Sequence, residues 1–276
     1  MNGFFKLLDF EIRRFRWVLV ALMAQTAVFQ IGTEVAALAY AVADRKKDRM
    51  ELGGSGPYYD QFSLADAVWE LQLWFALPVL VCVAVIGLYI FFIWYREWFG
   101  KDTFIYRLLM LPIPRTSIYW AKLSAILVFI FSLLAFQLVL IMVEQALYVI
   151  MVPEDMREPC YLSDVIAANA AWSIVLPARL DEFAVSYGLG IIGVMVVFTA
   201  ILLERSFRGT GIVYGILYAA ACTAAVVLPM PLLGLWSQGA ILYPEEILAV
   251  NLILCLAVAI LSLGLSFRLL NRKLTV

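Results

Sequence analysis

"KDTFIYRLLMLPIPRTSIYWAK", residues 101–122, lies between two long apolar runs. It carries the basic residues Lys101, Arg107, Arg115 and Lys122 against one acid, Asp102, and is interrupted by Pro112 and Pro114. The flanking runs, near 69–95 and 117–151, are each long enough to cross hydrocarbon, which takes roughly 20 apolar residues for about 30 Å. Reading outward gives four more such runs, near 17–42, 184–203, 211–233 and 246–269. The predicted fold is an all-α polytopic membrane protein: six transmembrane helices in a single transmembrane domain over 1–276.

Composition supports that reading. The chain is 64% hydrophobic and 15% charged, with a mean hydropathy of +0.94. Soluble domains sit near about 45–50% apolar and 25% charged. The net charge of -1 decides little, because in a membrane protein the placement of charge matters more than its sum. The first run ends near "AYAVA" (39–43), which resembles a small-residue cleavage site. Its apolar stretch is too long for a signal peptide and contains Glu34, so an uncleaved span is expected.

Orientation follows from Lys and Arg beside the span ends. With both termini in the cytoplasm, 14 of the 20 basic residues fall on the inner side. The six outer ones are Arg45, Lys46, Lys47, Arg49, Arg157 and Arg179, four of them interleaved with Asp44, Asp48 and Glu51. A cytoplasmic membrane location with both ends inside is therefore expected. In "MNGFFKLLDFEIRRFRWV" (1–18), Phe4, Leu8, Ile12 and Phe15 recur at helical spacing, opposite Lys6, Asp9, Arg13 and Arg16. That pattern predicts an interfacial helix over 1–16, before the chain turns into the bilayer at Trp17, with a cytoplasmic extension of the first span as the plainer reading.

Several chemistries are excluded. No histidine is present, which removes histidine triads and the common zinc sets. Cys82, Cys160, Cys222 and Cys255 form no CxxC pair, and no intrachain disulfide or metal site is indicated. A phosphate-cradling GxxxxGK[ST] loop is missing: Gly100-Lys101 is followed by Asp102, and Tyr95 stands where the first glycine belongs. No catalytic residues, no cofactor in this chain and no nucleic-acid partner are expected.

Between the second and third spans, Gly100 can end one helix and Asp102 can cap the next. A helix of about two turns is predicted over Thr103–Met110, stopped at Leu111 by Pro112, and Thr116 or Ser117 can cap the third span. Phe104, Ile105, Leu108, Leu109 and Leu111 make the short helix apolar, a liability in water unless it meets membrane or a protein groove. Pro112-Ile113-Pro114 is a stiff tether suited to transmitting a displacement.

The stretch "RE…GK…YRLLMLPIPR…IYWAK" after a second span resembles the permeases of ABC type-2 exporters. The six-span layout and interfacial N-terminal helix match as well. What the resemblance implies is a short cytoplasmic coupling helix from Asp102 to Leu111, including Phe104, Ile105, Tyr106, Arg107, Leu108 and Leu109, with Glu97 and Lys101 flanking it. That helix would dock on a separate cytoplasmic ABC ATPase holding ATP and Mg, and "ERSFRGTG" (204–211) would make a secondary contact. The resemblance further implies pairing with a second permease copy or sister permease, within membrane lipids, and alternating access, while the apolar spans with few charges suit an amphipathic, lipid-like or peptide substrate better than small ions. One departure is clear: "PMPLLGLWSQGAILYPEE" (229–246) is brief, while the longest outer segment is 152–183, where "SDVIAANAAWSIVL" suits one amphipathic helix.

Polar residues inside spans face bundle interiors or cavities. Gln25 lies about 12 Å along from Trp17 and Glu34 about 26 Å, at 1.5 Å per residue. Gln25, Gln30, Glu34, Gln137 and Glu144 are candidates for lining a path, with helix–helix adhesion as the plainer role. Two other readings of the whole chain are a non-transporting membrane scaffold or sensor and a secondary transporter. The latter would ordinarily show internal repeats, and none is evident.

Overall fold

The computed structural model describes residues 2–51, 61–98, 114–229 and 243–272. The helix expected over 103–110 and its Pro112-Ile113 tether lie outside them, as does most of the 229–246 connection. Among the described residues the chain is almost entirely helical, with one isolated parallel bridge between Phe62 and Arg157 and no strand. In order, the helices are α1 (Asn2–Glu51), α2 (Leu64–Glu70), α3 (Gln72–Trp98), α4 (Arg115–Met151), α5 (Leu162–Ala168), α6 (Ala170–Val175), α7 (Leu180–Ser206), α8 (Arg208–Val227) and α9 (Pro244–Arg272). Six of them, α1, α3, α4, α7, α8 and α9, are long and apolar enough to cross a membrane.

Three local readings are corrected. The turn expected at Trp17 is absent: α1 runs unbroken from Asn2 to Glu51, about 75 Å at 1.5 Å per residue. From Phe4 to Ile31 there is neither Gly nor Pro to stop it. The third span starts at Arg115, directly after Pro114, rather than behind a Thr116 or Ser117 cap, and the Ser117 amide donates to the Pro114 carbonyl at 2.8 Å. Finally, "SDVIAANAAWSIVL" is two helices instead of one. Asn169 leaves the helical region, and its Oδ1 accepts the amides of Ala171 and Trp172 at 3.0 and 3.3 Å. An asparagine competes with the helix ladder in this way because its short side chain substitutes for the missing backbone acceptors.

The chain divides into two compact units. One comprises Met1–Glu11, Gly87–Ile126 and Ala184–Val276. Its aromatic core sets Phe198 edge-on to both Trp94 and Tyr119, at 5.4 and 5.5 Å, with Phe267 5.6 Å from Tyr119. Thr199 binds Ser266 at 2.8 Å, and Tyr218 binds Ser262 at 2.7 Å, which satisfies hydroxyls that hydrocarbon cannot.

The other unit comprises Ile12–Ile86 and Leu127–Phe183. Phe15 packs at a tilt against Phe129 at 4.7 Å, and the fully buried Trp172 of α6 packs against Phe75 of α3 at 5.7 Å. Ser63 and Asp66 form a capping box at the start of α2. Asn169 donates to the Gln72 carbonyl at 2.9 Å, which fixes α6 against the start of α3. Tyr148 donates its hydroxyl to the Phe62 carbonyl, and Arg45 lies 4.0 Å over the Phe62 ring.

Candidate functional site

Two buried polar groups stand out, one in each unit. The first is ionic. Lys122, eight residues into α4, is 1% exposed. Its Nζ donates to Glu97 Oε1 at 2.6 Å, Glu11 Oε1 at 2.8 Å and the Ile93 carbonyl at 2.9 Å. An ammonium has three N–H groups, and each has a partner here. The acceptors come from α1 and from two successive turns of α3. Arg96 adds a 3.3 Å contact to the other oxygen of Glu11, and the Trp94 ring lies 5.2 Å from Nζ. Removing one member of such a buried pair typically costs about 3–5 kcal/mol, because the partner charge is left uncompensated.

Glu97 is the residue that the resemblance implied would flank a coupling helix. It is fully buried, with its carboxylate turned onto Lys122. Glu11 and Lys122 carried no such expectation. Lys101 through Leu111, the rest of the expected docking element, lie outside the described residues.

The second group is a ladder of amides and hydroxyls. Gln137 on α4 donates to Gln30 Oε1 at 3.1 Å, and Gln30 donates to the Phe75 carbonyl of α3, also at 3.1 Å. One helical turn earlier, Thr26 donates to the Leu22 carbonyl at 2.8 Å and lies 3.4 Å from Cys82 Sγ. One turn later comes Glu34. Thr26, Gln30 and Glu34 share a face by their spacing of four. Gln137 and Glu144, seven apart, share a face of α4 in the same way. The carboxyl groups of Glu34 and Glu144, 1% and 0% exposed, have no hydrogen-bond donor among the described residues. Gln25 is only half-buried and does not join the ladder. Of the five candidate lining residues, four therefore face the packed interior of one unit. Thr26 was missed, although the same periodicity on α1 singles it out.

The turn 204–211 is tight. Tyr95 donates to Glu204, and the Arg205 guanidinium sits 4.9 Å over the Tyr95 ring and 5.7 Å over Trp98. A Cβ on Gly211 would overlap the Glu204 backbone, so α7 and α8 meet there at a distance only glycine allows. Among the described residues no group of three or more acidic or cysteine side chains is placed to hold a metal.

Residues 13–177 match the family model described as ABC-2 family transporter protein, which is more than half of the 276 residues. The chain belongs to the ABC-2 transporter family. Neither a curated protein nor a solved structure matches significantly. The matched stretch holds α1 from residue 13 through α6, with the 99–113 connection and the whole amide ladder. Lys122 and Glu97 fall within it, and Glu11 lies two residues before it. As an ABC-2 family protein the chain is a multi-pass membrane component of an ABC transporter, and an ATPase partner is implied by that membership.

Proposed function

We propose that this chain is the permease subunit of an ATP-driven exporter in the cytoplasmic membrane. It works beside a second permease copy or a sister permease, and both of its termini are cytoplasmic. A separate ABC ATPase holds ATP and Mg and docks on the element spanning Asp102–Leu111, with the 204–211 turn beside it. Closure of the ATPase pair drives the two copies between inward- and outward-open arrangements. Large apolar surfaces with few charges suit an amphipathic, lipid-like or peptide cargo. Gln30, Glu34, Gln137 and Glu144 are buried within their own unit, so on this reading they line the path only in an arrangement that parts α1 from α4.

The observation that carries the reading is membership of the ABC-2 family across a region containing the 99–113 connection. The 276 residues hold no GxxxxGK[ST] loop, which supports an ATPase outside them as the energy source. The test is deletion of 103–111 in a chain purified with its ATPase. The expected result is loss of the bound ATPase, or of its stimulation, with the chain still inserted and monodisperse. Full retention of both contradicts the reading.

A further inference from the structure

Three buried charges at one point, with the half-buried Arg96 beside them, are an unusual way to hold helices together. Apolar side chains of similar volume hold as well or better. What the ionic arrangement adds is direction. Lys122 Nζ is a single atom bound at 2.6–2.9 Å to three acceptors, one on α1 and two on α3. Sliding any one of these helices by half a turn breaks at least one contact inside a dry core. Packed methyl groups would let it slip.

The placement along the chain gives this a purpose. Glu97 stands two residues before the 99–113 segment, and Lys122 nine residues after it. Arg96 repeats the tie from α3 to Glu11 at 3.3 Å. At the exit side, Arg115 donates to the Leu270 carbonyl of α9 at 2.9 Å. Both ends of the connection therefore lead into the same ionic knot, and the amphipathic start of α1 is bound into it through Glu11.

We propose that Lys122 is a positioning residue. Held by Glu11 and Glu97, it locks the ends of α1, α3 and α4 that flank the 99–113 connection into one joint, through which a push on that connection moves three helices together. This rests on the proposed function, since the push is the ATPase's. On this proposal none of these side chains needs to touch substrate or nucleotide. Their role is to prevent the displacement from being absorbed by slip between helices.

The experiment uses the chain purified with its ATPase in lipid nanodiscs, as wild type, K122M and E11Q. The readouts are ATPase bound per permease, the permease-dependent increase in ATP hydrolysis, and hydrogen exchange with ADP or with ATP and orthovanadate. Expected for K122M is ATPase bound at the wild-type ratio, with its stimulation reduced by about fivefold or more. E11Q keeps the size of the side chain and an acceptor for Lys122, and gives a smaller loss. In the wild type, exchange around residues 8–14, 90–97 and 117–124 shifts in the same direction on trapping with vanadate. Undiminished stimulation in a folded K122M overturns the joint, as does a wild-type response confined to one of the three segments. The wild-type comparison decides alone if K122M fails to fold. A wild-type chain that retains no ATPase overturns the proposed function and the joint's role with it, an outcome distinct from an uncoupled K122M.

Discussion

Glu34 and Glu144 show what one residue can cost. Both side chains are sealed from solvent, and no donor among the described residues reaches any of their four oxygens. Selection for stability alone would not keep them, since a buried polar group without partners is destabilising by about 1–3 kcal/mol. Glu34→Met and Glu144→Met are therefore expected to stabilise the purified chain, each by about 1–2 kcal/mol, read as a higher thermal midpoint in detergent. If they line a path, transport falls while that midpoint rises. An unchanged transport rate and ATPase stimulation would remove them from the path and leave them as packing. These two residues were legible in the sequence because a carboxylate in an apolar run is conspicuous. Lys122 and Glu11 were not, for the opposite reason. A charge near the end of a span is ordinary, and only folding brings together groups 111 residues apart.

At the level of elements, the hairpin of α7 and α8 depends on two glycines that touch backbone. Gly211 faces Glu204, and a Cβ on Gly215 would lie 2.8 Å from the Ala200 carbonyl oxygen. Gly211→Ala should force the two helices apart and destabilise by about 1–3 kcal/mol, as overpacking does. Gly190→Ala is the matched control, because nothing lies within 4 Å of its added Cβ. There a helical alanine should be neutral or gain about 0.5–1 kcal/mol. Equal effects of the two changes on thermal midpoint would contradict the close approach. The six long helices were readable from apolar length alone, since hydrocarbon demands it. The break at Asn169 was not, because apolar periodicity continues straight through it. For α1 the plainer reading, a straight extension of the first span, holds: amphipathic periodicity reports a change of solvent along the helix and not a change of direction, and with no breaker between Phe4 and Ile31 the backbone has no cause to turn.

For the whole molecule, orientation and energy supply are the open claims, and Cys160 tests the first. It is partly exposed and outside the long helices, whereas Cys82, Cys222 and Cys255 are buried. An impermeant maleimide should therefore label Cys160, and only from the outer face of intact cells; labelling from the cytoplasmic face alone reverses the topology. Partial burial pushes its thiol above the ordinary 9.0, helped by Asp164, Asp66 and Glu158 nearby. A raised value means less thiolate at any lower pH, so labelling should be slower than for a free thiol at pH 7. It should climb with pH and keep climbing past the pH at which a free thiol levels off.

The claim on which the rest depends is that a separate ATPase grips the connection between α3 and α4. A photo-crosslinking amino acid in place of Tyr106 tests it directly, with the chain illuminated in its native membrane and the adduct sequenced. The account predicts a covalent link to a polypeptide carrying a GxxxxGK[ST] loop. Adducts to lipid alone, with no second polypeptide, would contradict it.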